Sequence, residues 1–183
     1  MKINILALFT LISLSATSGW FGGNSIEGAF GYTLGENVES NKWARHTFSP
    51  DKRLPLFDDY SYLRTGVTKK IRVINASGSN RGLKNLCLDK SYDFYKLLKV
   101  LERKYGKFSK KSIGDGGRSD HGFPADEYRY TEGDRRIIFS CAPILLKDGR
   151  YNTVSEIVYY ANDIFNENKK LENPKMNYSD YDI

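Results

Sequence analysis

The segment at about 89–105 constrains the fold most, because it is the clearest stretch whose apolar residues recur at helical spacing. Phe94, Leu97, Leu98, Leu101 and Tyr105 fall on one stripe, with Lys96, Lys99 and Glu102 on another face. Asp89 or Ser91 can cap its start, and Arg103 and Lys104 suit the negative end before Gly106. The other patterned segments alternate with period two, the spacing of strands. Residues 29–35 place Phe30, Tyr32 and Leu34 on one face. Residues 60–65 and 69–75 read as a strand pair around Gly66, with Ile71 and Val73 on one side and Arg72 and Ile74 on the other. Residues 127–131 and 135–141 flank Glu132-Gly133-Asp134 as a hairpin, and 154–160 is a last strand with apolar groups on both faces. One strong helix among such strands predicts an α+β fold, a mostly antiparallel sheet covered on one face by the long helix.

Between these elements the chain loses its pattern. Residues 36–59 carry Pro50 and Pro55 and read as a long irregular connection, and 75–85 is broken by Gly78, Ser79, Asn80 and Gly82. Residues 107–124 form the least regular part. After a short helical continuation through Ile164 and Phe165, residues 166–183 read as a flexible polar tail.

The start of the chain bears on compartment. Lys2, an apolar run over 3–14 and the small-x-small triplet Ala16-Thr17-Ser18 have the form of a signal peptide over 1–18, leaving residues 19–165 as a single domain. No later apolar run is long enough to span a bilayer, so stable membrane insertion is not expected. The two cysteines, Cys87 and Cys141, then read as one disulfide in a periplasmic or secreted protein. Closing a loop with a separation of 54 residues implies roughly 4 kcal/mol of stabilisation in the chain-entropy model.

The net charge of +6, falling to +5 when Lys2 is removed, favours anionic contacts without selecting a partner. Bases gather at Lys69, Lys70 and Arg72, at Lys107, Lys110 and Lys111, and at Arg135 and Arg136. Tyr105, Tyr128 and Tyr130 lie near them in sequence, so convergence on one face would make a groove for an acidic strand or glycan. The Gly-rich loop 112–122 holds Asp115, Arg118, Ser119, Asp120 and His121, the most concentrated polar chemistry in the chain. It has no Gly-x-Ser-x-Gly elbow, no phosphate-loop ending and no calcium-loop ladder. His46 and His121 are the two histidines, and no metal-ligand spacing accompanies either, so neither a cofactor nor a metal is expected. Asn75-Ala76-Ser77 and Asn177-Tyr178-Ser179 match the glycosylation triplet.

Two short motifs carry a resemblance. Gly28-Ala29-Phe30-Gly31-Tyr32-Thr33-Leu34-Gly35 and Leu101-Glu102-Arg103-Lys104-Tyr105-Gly106 resemble the Gly-x-Phe-Gly-x-x-Leu-Gly opening and Leu-x-x-Lys-Tyr-Gly helix end of small exported bacterial proteins of uncharacterised function. The resemblance implies an exported α+β domain and carries no activity. The leading expectation is a non-enzymatic binding module of inhibitor or immunity type, acting on a protein partner in the envelope or outside the cell. Its expected contact residues are Lys110, Lys111, Arg118, Asp120, His121, Tyr128 and Tyr130. A small secreted hydrolase using loop 112–122, or a carrier of an anionic ligand, are the rival expectations.

Overall fold

The computed structural model describes residues 25–39, 45–112 and 126–172. The expected signal peptide, most of the Gly-rich loop with Arg118, Asp120 and His121, and the end of the expected tail lie outside the described residues. The described chain is α+β with a mostly antiparallel sheet. A small hairpin pairs β1 (Gly28–Ala29) with β2 (Tyr32–Thr33). The main sheet is built from β3 (His46–Thr47), β4 (Asp59–Arg64), β5 (Ile71–Gly82), β6 (Ser109–Ser112), β7 (Asp126–Glu132), β8 (Arg135–Leu145) and β9 (Tyr151–Ala161). Its seven strands lie in the order β3-β4-β5-β9-β8-β7-β6, and every pairing is antiparallel. Helix α1 (Asp93–Tyr105) lies between β5 and β6 in sequence, and α2 (Asn162–Glu172) follows β9 directly.

The helical stripe packs as its spacing requires. Phe94, Tyr95, Leu98, Leu101 and Tyr105 are buried, while Leu97 is only partly so. The Phe94 ring stacks on Phe139 of β8 at 4.0 Å, and Tyr105 meets Tyr130 of β7 at 5.9 Å. The helix begins later than its sequence suggests. Asp89 accepts hydrogen bonds from the Ser91 backbone and hydroxyl, forming a local turn before the helix starts, and Tyr92 occupies the cap without a side-chain bond. The cover over the core is composite. Ile26, Leu34, Leu56, Phe57 and Ile164 join the α1 residues in one cluster, so segments before and after the helix share its work.

The disulfide joins Cys87 to Cys141. Cys87 lies in a single 3-10 turn, Leu86–Leu88, and Cys141 lies inside β8, since that strand continues to Leu145. Both sulfur-bearing residues are buried in the core cluster, and the Tyr95 hydroxyl donates to the Cys87 carbonyl at 2.5 Å.

Several expectations change. The segment 29–35 is a hairpin turn and not one strand: Phe30 and Gly31 take φ of 57° and 88°, the left-handed pair that a tight two-residue turn demands. Phe30 meets that requirement while its ring packs edge-on against Phe57, Tyr60 and Tyr159. Strand β5 runs through the supposed break to Gly82, because β9 pairs with it residue by residue from Val73 to Gly82. Gly78 serves that strand by close approach: a Cβ there would lie 2.2 Å from the Leu56 carbonyl oxygen. A register shift at Leu63/Arg64 moves Ile71 onto the same core as Ile74 and Ala76 and leaves Val73 outside that cluster. Residues 109–112, expected in an irregular segment, form the edge strand β6. Helix α2 extends to Glu172 and overlaps the start of the expected tail. Its buried Asn168 accepts from the Val67 and Thr68 backbone N–H groups at 2.8 and 3.1 Å, which ties the helix to the β4–β5 connection.

Candidate binding surface on the sheet

The strands divide the sheet into two unlike faces. On β8 and β9 the residues Ile137, Phe139, Cys141, Ser155, Ile157 and Tyr159 are buried against the core. Their alternates Arg136, Ile138, Ser140, Val154, Glu156 and Tyr160 are only half-buried. This second face is where strand periodicity leaves side chains able to meet something else.

Three strands far apart in sequence build its centre. Val73 of β5 is the register partner of Tyr160 of β9, Tyr160 is also the partner of Arg136 of β8, and Asn75 pairs with Val158. Val73 and Val158 are buried, and polar or amphipathic groups surround them. Asn75 Nδ2 donates to Glu156 Oε1 at 2.5 Å, Arg45 Nε donates to Ser61 Oγ at 2.7 Å, and the Arg136 guanidinium lies 5.3 Å from the Tyr160 ring centre. Arg72 lies against the Phe165 ring at 5.1 Å, at the border with α2. Arg45, Ser61, Arg72, Asn75, Glu156 and Tyr160 line, with the two valines, a shallow cavity of about 240 Å³, and Arg136 lies beside it against Tyr160. Asn75 Oδ1 and Arg136 Nε are buried and have no hydrogen-bond partner among the described residues, so the chain leaves polar capacity on this face incomplete.

Of the residues expected to bind, Lys110, Lys111, Tyr128 and Tyr130 lie on the neighbouring strands β6 and β7, away from this centre, and Arg118, Asp120 and His121 lie outside the described residues. Lys110 is the register partner of Tyr128, its ammonium lies 2.9 Å from Asp126 and 5.8 Å from the Tyr128 ring centre, and Asp126 holds the Lys110 pKa above its ordinary value. Burial pushes the Tyr128 phenol up. Lys111 is exposed on β6 opposite Glu127, which is paired with Arg129. Tyr130 packs between Tyr105 and Phe108. In the other basic clusters one member each is tied to an acid, Lys70 to Glu167 at 2.9 Å and Arg135 to Asp163 at 3.2 Å with a further bond to the Ile26 carbonyl, while Arg72 and Arg136 reach the second face. Among the described residues, Tyr105, Tyr128 and Tyr130 pack with α1 and Phe108, whereas Arg72 and Arg136 lie by Tyr160 on the second face. His46 stacks on Tyr62 at 5.1 Å.

The sequence contained a weak signal for the second face, the apolar groups on both sides of 154–160. Asn75 is a correction in the same place. Its glycosylation triplet lies in the middle of β5, with the side chain half-buried and bonded across the sheet, a geometry that offers no exposed loop for a glycan. Among the described residues, no group of three or more His, Cys, Asp and Glu side chains could hold a metal ion, and no helix is long and apolar enough to cross a membrane. The class this geometry defines is an α+β domain with a mostly antiparallel sheet and one disulfide. No family model, curated protein or solved structure matches the chain.

Proposed function

We propose that the protein is an exported, non-enzymatic binding module whose sheet face around Val73, Val158 and Tyr160 contacts a protein partner. The observation that carries this reading is the arrangement of that face: a buried aliphatic centre, a tyrosine and arginines around it, and unfulfilled polar atoms beside them. Protein interfaces combine an apolar centre with a polar rim, and their strongest contacts are enriched in tyrosine and arginine. Such a surface suits inhibitor or immunity-type action, because occlusion of a partner requires contact area and no chemistry of its own. Export is supported by the form of residues 1–18 and by the disulfide, which persists in oxidising compartments.

Capture experiments on envelope and culture-medium fractions test the reading. The wild type is expected to retain one protein in stoichiometric amount, and Arg72→Glu combined with Arg45→Glu to lose it while the thermal transition stays in place. Retention of the partner by the variant, or no retained protein at all, would overturn it. The recovered protein is expected to begin at Gly19 by intact mass.

A further inference from the structure

At the end of the sheet where Tyr151 is the register partner of both Gly82 and Leu145, the chain exposes aliphatic side chains to an unusual degree. Leu83 is 83% exposed, Leu88 76% and Leu145 64%. The Cys87–Cys141 bridge ties the turn bearing Leu88 to β8 four positions before Leu145, and Leu83 directly follows the end of β5. The charges around them are mostly positive. Arg81 and Lys84 flank Leu83, while Lys147 and Arg150 lie in the connection after Leu145. Two acids offset part of this charge, since Asp148 is paired with Arg150 at 2.6 Å and Asp89, accepting from Ser91, lies nearby in sequence, so Arg81, Lys84 and Lys147 carry the positive excess.

We propose that this end of the β5–β9–β8 ribbon docks peripherally on a bilayer carrying anionic headgroups, a contact separate from the protein-binding face. Leucine tips enter the boundary between headgroups and acyl chains, and the long lysine and arginine side chains reach back to the phosphates. Charge complementarity selects this occupant. Flexible cations around unpatterned aliphatic groups match the fluid, phosphate-rich surface of a bilayer, and each base near such a surface adds to the attraction. The contact requires no spanning segment.

Vesicle co-sedimentation of the full chain tests the proposal, using phosphatidylcholine alone and phosphatidylcholine mixed with phosphatidylglycerol. The wild type is expected to sediment with the mixed vesicles, weakly with the neutral ones, and less as salt rises. Leu83→Ser, Leu88→Ser and Leu145→Ser combined are expected to weaken binding at least on the order of 100-fold. Lys84→Glu with Lys147→Glu should remove the preference for anionic vesicles. All three leucines are exposed, and an unchanged thermal transition verifies that the variant is folded. Absence of wild-type binding, or binding that survives in the leucine variant and therefore comes from another part of the chain, would overturn the proposal.

Discussion

Ile26 is fixed by both of its backbone polar groups: its N–H donates to Glu132 Oε2 at 2.9 Å and its carbonyl accepts from Arg135 Nη1 at 2.8 Å, while the side chain is fully buried. The two residues flanking the β7–β8 turn thus hold the start of the described chain, and Arg135, which looked like part of a ligand-binding cluster, has a structural task. Tyrosines likewise have structural consequences. Burial pushes the phenols of Tyr159, Tyr128 and Tyr62 above their ordinary value of 10.0. The unfolded chain loses these protons first, so their contribution to stability is complete below pH about 10 and declines as pH rises towards the folded-state values. Lys110 acts in the same direction, because its pKa is also raised on folding. Urea unfolding is expected to give a constant stability contribution from these groups between neutral pH and about pH 9, then a loss above about pH 10 that Tyr159→Phe reduces. An alkaline slope identical in the variant would exclude Tyr159 as a source.

At the scale of elements, backbone proximity decides what side-chain pattern alone leaves open. Gly78→Ala is expected to destabilise the fold by about 1–3 kcal/mol or more, since the new Cβ would press on the backbone at Leu56 and Phe57 rather than on a flexible side chain. Asn168→Ala should cost about 1–3 kcal/mol, because it leaves the buried-side donors of Val67 and Thr68 without their shared acceptor. Chemical denaturation measures both effects, and a change within experimental error would contradict the roles assigned. These positions also show what was legible in the sequence. The α1 stripe and the β7–β8 hairpin could be read because each has its own periodicity and a turn signal. The second half of β5 could not, since its glycines and small polar residues are ordered by pairing with β9, which lies far along the chain. The β1–β2 hairpin was hidden for a different reason: Phe30 sits at a turn position where the sequence normally offers Gly or Asn, held there by aromatic contacts from distant segments. The half-open face was unreadable in the same way, because Arg72, Asn75 and Tyr160 become neighbours only once strand register is known.

The described residues form a disulfide-braced sheet with two unlike faces. Reduction of Cys87–Cys141 is expected to lower unfolding free energy by roughly 4 kcal/mol. Denaturation with and without reductant measures this loss, and equal stability in both conditions would contradict a bracing role for the bridge. The central claim concerns which surface meets a partner. A photo-reactive side chain placed at Leu63, beside Val73 and its cavity, can be compared with one at Lys99 on the exposed side of α1. Cross-linking in intact cells followed by mass spectrometry is expected to give one dominant protein adduct from position 63 and none from position 99. An adduct formed from position 99 alone, or the absence of any protein adduct from position 63, would contradict the account.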